Sequence, residues 1–229
     1  WWWKILWFYE RFVHRHADYT FCITDEDRIY FENEYNLSPQ KISRITYGIS
    51  WNTLLPIKDE EEARAFLLKQ YSLEKGTVLY LFNGALDYKP NLDALNNILK
   101  NINPLMIASG IVYKIIICGK NLPEELNDLK DYANKNIIYA GFVDDISIYF
   151  KGSDIFINPG TDGVGIKTKL VVALGYNLTT VSTKNGALGI DEKICNGKLL
   201  ISANDDWQAF TEKMIAAVWR WRLNQILRA

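Results

Sequence analysis

Downstream of position 77 the chain repeats one pattern: a short apolar run, a glycine, then a stretch with apolar residues at helical spacing. Val78-Leu79-Tyr80-Leu81-Phe82 is continuously apolar, as expected of a strand buried on both faces. Ile115-Ile116-Ile117-Cys118, Ile137-Ile138-Tyr139 and Asp154-Ile155-Phe156-Ile157 read as further strands, and so does 178–182. Between them the spacing predicts a helix over 91–108, with Leu92, Leu95, Ile98, Leu99 and Ile102 on one face. Pro123 is expected to start a helix containing Leu126 and Leu129. Shorter helices are expected over 144–151 and 165–175, and a terminal one over 205–228 with Trp207, Phe210, Ile215, Val218 and Trp219 on its apolar positions. The fold class this implies is α/β, a doubly wound parallel sheet. Such a sheet binds ligands outside the carboxyl ends of its strands, where the glycine-bearing loops after 82, 118, 139 and 157 all open.

Upstream, the pattern predicts a helix over 2–17, aromatic on much of its surface and closed by Arg11, His14, Arg15 and His16. A strand at 19–23 follows, then a helix capped by Thr24 with Asp25, Glu26 and Asp27 in its first turn, then a strand at 41–46. The segment 50–60, with Pro56, reads as a connector and domain boundary, and a helix is expected over 59–70. The front of the chain is therefore a partial second domain.

Composition narrows the function classes. The 229 residues carry 26 basic and 27 acidic side chains, a net charge of −1, so no overall field favours nucleic acid. Three scattered cysteines with no C-x-x-C pair fit a reducing compartment, hence the cytoplasm. The apolar residues of 1–13 are too few, and too interrupted by Lys4, Glu10 and Arg11, to span a bilayer. The Trp1–Trp3 start, without an initiating Met, reads as the start of a fragment. That cluster has three readings: a buried helix face, a surface facing a partner domain, or peripheral contact with a membrane, the first two being favoured.

Three loops are candidates for chemistry. Asn158 to Lys169 holds Gly160, Gly163 and Gly165 ahead of a helix that opens with Lys167 and Lys169. Glycines allow close backbone approach, and a helix start presents unpaired N–H donors, so a diphosphate is a natural guest. The two lysines are two positions apart, and helical spacing sends them to different sides, so one is expected to face the anion. The alternative is a Gly-rich turn with solvated lysines. In Phe82 to Asn91, Gly84 and Lys89 are placed to meet phosphate; equally, Pro90 and Asn91 simply close a strand-to-helix loop. In Ala140 to Asp145, Phe142 is placed to hold a base, or Asp144 and Asp145 merely start the next helix. His14 and His16 have no Cys, Asp or Glu at ligand spacing, so no metal site is expected. Two histidines also support no Ser-His-Asp or Cys-His nucleophile arrangement.

Taken in order, Arg44 to Ser50, Gly84 to Asn91, Ile117-Cys118-Gly119, Gly141 to Asp145 and Gly163 to Lys169 with Ala173-Leu174 resemble family 4 glycosyltransferases of the GT-B fold. The order extends to Val181-Ser182-Thr183 and Gly186 to Gly189. The resemblance implies two Rossmann-like domains facing across a cleft. It makes 1–50 the remnant of an acceptor-binding domain, 51–76 a linker and helix, and 77–229 the domain that binds a nucleotide-sugar donor. It implies Gly84 and Lys89 near the donor diphosphate, and Gly163, Val164 and Gly165 beside sugar and phosphates with Lys167 nearby. Phe142 and Val143 would flank the base. The implied reaction is transfer of a sugar, with retention, to a glycan, lipid or other acceptor, as in polysaccharide biosynthesis. No metal and no cofactor beyond the nucleotide-diphosphate sugar is implied, and the place is cytoplasmic, with the inner membrane face as a peripheral alternative.

Two departures stand out. Val172 occupies the position where the family usually has a Glu that holds the ribose hydroxyls, and Val164 occupies the other acidic position, which some Gly-x-Gly-x-Lys-x-Lys subfamilies also lack. The early strands of the acceptor domain have no counterpart, so this chain alone is expected to be inactive or nearly so. The rival reading is a degenerate, non-catalytic domain serving as an interaction module. A dehydrogenase is disfavoured because no G-x-G-x-x-G follows Phe82.

Overall fold

The strands sort into two parallel sheets in the computed structural model, which describes residues 1–49 and 56–228, with nothing stated for side chains after 222. Ser50 and the first part of the expected connector, where the domain boundary was placed, lie outside the described residues. The smaller sheet pairs β1 (Thr20–Cys22) with β2 (Ile42–Arg44). It is flanked by α1 (Trp2–His16) and α2 (Asp25–Glu34), and the Thr24 hydroxyl caps α2 by accepting from the Asp27 amide at 3.0 Å.

The larger sheet holds β3 (Val78–Asn83), β4 (Tyr113–Cys118), β5 (Ile137–Gly141), β6 (Ile155–Asn158), β7 (Thr179–Thr183) and β8 (Leu199–Ser202). Their order is β5-β4-β3-β6-β7-β8, all parallel. The chain thus winds outward one way from β3, then returns and winds the other way from β6. Alternate residues of β3 serve opposite faces, because successive side chains of a strand point to opposite sides. Val78, Tyr80 and Phe82 join a core with α4 (Lys89–Asn97), α5 (Asn103–Ala108) and α8 (Trp207–Arg228). Leu79 and Leu81 join a core with α3 (Ile57–Gln70), α6 (Ile146–Gly152) and α7 (Thr168–Gly175). At the amino-terminal edge, buried Asp154 accepts from the Arg64 guanidinium and, at 2.8 Å, from the Leu79 amide. Gly152 lets α6 close on α3, since a Cβ there would sit 2.8 Å from the Ala63 carbonyl oxygen.

Four elements differ from the sequence expectation. The helix expected over 91–108 is split by a π turn, Ile98–Ile102, just before Pro104, which has no N–H to continue the α ladder. The helix expected after Pro123 is instead 3-10 winding over Glu124–Lys135, interrupted by left-handed Asn127, Asp128 and Leu129. Asn and Asp tolerate that conformation, and Leu129 reaches the core from it. In α8 the buried stripe is Phe210, Met214, Ala217 and Val218, while Trp219 points outward at 63% exposure. Finally, β8 is an unexpected edge strand of four residues, too short to show a pattern.

Candidate functional site at the sheet switch point

The strand order reverses between β3 and β6, and a doubly wound sheet leaves a crevice at that point outside the strand ends. The loops leaving β3 and β6 enclose a cavity of about 350 Å³ there, lined by Gly84, Pro90, Asn91, Gly163, Lys167 and Lys169 among others. A second cavity, about 230 Å³, lies at the opposite edge beside Arg64 and Asp154, away from the carboxyl ends.

The first wall is stitched to the neighbouring strand. The Gly84 amide donates to the Cys118 carbonyl at 3.0 Å, and the Leu86 amide to Lys120 at 2.9 Å. Gly119 makes this approach possible, because a Cβ there would collide with the Gly84 carbonyl oxygen. Gly84 in turn leaves room for Asn91, whose Nδ2 would lie 2.6 Å from a Cβ at 84. Asn91 donates from Nδ2 to the Ala85 carbonyl at 3.0 Å and accepts at Oδ1 from Lys169 Nζ at 2.9 Å.

The second wall is held by its carbonyls. Asn97 donates to Pro159 O at 3.2 Å, Asn185 to Gly163 O at 3.1 Å, and the Thr183 hydroxyl to Gly160 O. Gly163 and Gly165 have φ of +91° and +70°, a region glycine enters without strain. The loop runs into α7, whose first residues Thr168 and Lys169 have amides with no acceptor inside the helix. The oxygen Oδ1 of Asn83, buried in the cavity wall, has no hydrogen-bond partner among the described residues.

Both lysines reach this cavity, against the expectation that they would diverge. Lys167 is the residue before α7 and is extended (φ −86°, ψ 96°), so helical spacing does not govern it. Its Nζ donates to the carbonyls of Val164 and Gly165 at 3.2 and 3.1 Å. Lys169 packs its ammonium 4.5 Å from the centre of the Phe82 ring. Burial, and after it the charge of Lys167, pulls the Lys169 ammonium down to about 7. Burial also lowers Lys167, opposed by Asp162.

Of the residues expected here, Gly84, Gly163, Val164 and Lys167 line the cavity, and Gly165 contributes the carbonyl that holds Lys167. The others lie outside its lining. Lys89 points into solvent and pairs with Asp93 at 2.6 Å, one turn along α4. Phe142 is 72% exposed on its own loop. Val143 and Val172 pack, partly buried, against the core on the α3 face. Asn91 was read only as a helix start; its side-chain reach depends on Gly84, seven residues earlier, which no local pattern reveals. The two histidines serve the small sheet: His14 stacks on Phe31 and lies 3.4 Å from Thr20 Oγ1, and His16 bonds the Phe12 carbonyl. No cluster of three or more metal-ligating side chains occurs among the described residues.

A six-stranded, doubly wound parallel sheet with a glycine-framed cavity at its switch point defines a Rossmann-like α/β domain, of the kind found in GT-B glycosyltransferases. The profile of the family described as Glycosyl transferases group 1 matches residues 77–218, and the chain belongs to that family. A Klebsiella pneumoniae protein of the cps region is 32% identical over 132 residues, covering 55% of this chain and 34% of that protein. A glycosyltransferase from Rickettsia africae superposes with a TM-score of 0.68 at 13% identity, over 91% of this chain and 56% of that one. Anabaena HepE, solved in complex with UDP and glucose, superposes at 0.61 with 14% identity, over 90% and 54%. The chain therefore spans about a third of the curated relative and little more than half of these solved structures.

Proposed function

We propose that residues 77–229 form the donor-binding half of a retaining, family 4-like glycosyltransferase, holding a nucleotide-diphosphate sugar by its diphosphate. The observation that carries this is the cavity at the β3/β6 switch point, which Lys167, Lys169 and the start of α7 all line. A diphosphate leaving group gains negative charge as the sugar–oxygen bond breaks, and preorganised donors stabilise that charge without a metal. UDP, present in the Anabaena HepE structure, is a ligand of this chemistry. Phe142, exposed on the loop after β5, offers a face for the base. Val172 cannot accept from ribose hydroxyls, so we expect weaker donor binding than a Glu there would allow.

Transfer needs an acceptor held in line with the donor, and proximity requires both walls. Residues 1–49 leave the outer face of α1 uncovered, so on this reading the 229 residues bind donor without transferring sugar until a complete acceptor half meets them. The acceptor would be a glycan or lipid. The test is calorimetric titration with UDP and GDP. Saturable binding that is lost in Lys167→Ala supports the reading. Absence of binding by either nucleotide favours the rival, a non-catalytic interaction module, which the apolar packing of Val172 also favours.

A further inference from the structure

The second cavity, at the amino-terminal edge of the large sheet, is built unlike the one at the switch point. Three of its lining residues, Ser153, Asp154 and Thr179, are polar and buried. Asp154 is satisfied by the Arg64 guanidinium and the Leu79 amide. Ser153 is only 5% exposed, and its Oγ has no hydrogen-bond partner among the described residues. A buried hydroxyl without a partner costs free energy, and a guest able to supply one recovers it. Trp221 of α8 adds an aromatic wall, steadied by the Arg64 guanidinium 5.1 Å from the ring centre.

The lining selects the class of guest by elimination. Its charges balance, Arg64, Lys151 and Lys198 against Glu60, Glu61 and Asp154. Each cation also has a partner. Arg64 donates to Asp154 and, at 2.8 Å, to the Thr77 carbonyl; Lys151 lies 3.5 Å from Asp59; Lys198 donates to the Asn177 carbonyl at 3.0 Å. An anion would have to displace these partners and would gain no net field. No group of three or more His, Cys, Asp or Glu among the described residues is arranged to hold a metal ion, so the three acids do not make a cation site. An apolar guest would strand the buried polar groups. What fits is a neutral guest with hydroxyls at its edge and an apolar face. At about 230 Å³ the cavity is smaller than the roughly 300–1,000 Å³ of pockets for drug-sized ligands, so it has room for one small ring. A wider recess of about 930 Å³ shares Glu61, Arg64 and Trp221 with it, so the guest can continue beyond that ring.

We propose that this cavity is a saccharide-binding site, which takes one neutral sugar unit of a glycan against Trp221 with a sugar hydroxyl on Ser153 Oγ. A sugar ring meets both demands of the lining. Its C–H face packs on an aromatic ring, and its hydroxyls donate and accept as the Ser153 hydroxyl does. The site lies at the edge of the sheet opposite the carboxyl ends, so a glycan held there has a point of attachment separate from the switch-point cavity. The inference goes beyond the donor reading and does not depend on it.

The experiment observes the whole chain by saturation-transfer NMR with glucose, galactose and mannose, the disaccharides maltose and lactose, and glycerol as a control. At least one hexose is expected to receive saturation and glycerol at the same concentration none. Saturating UDP should leave the hexose signal unchanged. Ser153→Ala removes a hydroxyl that has no partner, so it is expected to melt no lower than wild type while weakening the hexose at least fivefold. Trp221→Leu is expected to weaken it at least tenfold, and Trp221→Phe to recover part of that loss. Loss in either Ser153→Ala or Trp221→Leu at an unchanged melting temperature supports the site. Silence from every sugar overturns the proposal and leaves a cavity that holds water only. A glycerol signal equal to the hexose signal overturns the saccharide class, and a hexose signal abolished by UDP moves the sugar to the switch point and overturns the site. Affinity retained within twofold in both Ser153→Ala and Trp221→Leu overturns it as well.

Discussion

The two sheets of this chain treat their apolar residues in opposite ways. In the six-stranded domain the central strands are covered on both faces: Phe82, Ile117, Ile157 and Val181 share a core with α4 and α8, and Leu81, Ile116 and Phe156 with α3, α6 and α7. In the small sheet the helix α1 is mounted the other way round. Trp7, Glu10 and His14 face inward, where Trp7 and His14 pack against Tyr35 and the Tyr35 hydroxyl donates to Glu10. The opposite flank, Ile5, Phe8, Tyr9, Phe12 and Val13, is exposed, and Phe21 on β1 is 62% exposed. A parallel sheet normally has both faces covered. The difference teaches that the larger domain closes its own core, whereas residues 1–49 present a face suited to further sheet or helix. No helix among the described residues is long and apolar enough to cross a membrane, so this face is not a span.

The largest test of that contrast is truncation of a ring in each region. Phe156→Ala, in the closed core, is expected to cost about 3–5 kcal/mol in a urea melt. If it costs no more than a ring on α1, the contrast fails. Gly119→Ala comes next. Its Cβ meets the Gly84 carbonyl oxygen, and overpacking of this kind costs about 1–3 kcal/mol. Because it also displaces the Gly84 loop against which Asn91 of α4 is held, UDP binding should fall further than the melting temperature alone would imply.

A subtler test uses pH. Lys169 titrates at about 7 in the folded chain against an ordinary 10.5 unfolded. Below pH 7 both states hold the proton and the full cost of burying the charge is present. Between these values the unfolded state binds more protons, so stability should rise as pH increases from about 7 towards 10. Denaturant midpoints across that window should climb in wild type and climb less in Lys169→Met; equal slopes would remove the buried charge from the account. The smallest effect is expected on α1: Phe8→Ser with Phe12→Ser should change stability by no more than about 0.5 kcal/mol. Both side chains are exposed, so the same pair should instead reduce self-association, read by light scattering against concentration.

Much of the fold was legible in the sequence because β3, β4 and β6 are continuous apolar runs followed by polar or glycine-bearing exits, and that pattern has few other solutions. The Gly163–Lys169 segment was legible as a loop for a related reason, since closely spaced glycines punctuate regular structure and mark a turn ahead of the helix. What failed did so where spacing rules meet non-helical backbone. Asn127 to Leu129 are left-handed, Pro104 follows a π turn, and Lys167 is extended just outside α7. Lys89 and Phe142 were placed by motif order, which carries no information on which way a side chain points; both are exposed outside the cavity lining.

Alone, the order of apolar and polar residues determined a parallel sheet, its glycine exits and a glycine-rich loop ahead of a lysine-bearing helix, because burial of strands and conformational freedom of glycine are properties of near neighbours in the chain. Tertiary structure decided which lysine is desolvated, that Asn91 reaches it, and that α1 turns its aromatic flank outward. Each of those depends on groups brought from far along the chain, such as Phe82 beside Lys169 or Tyr35 beside Glu10, and desolvation has no local signature.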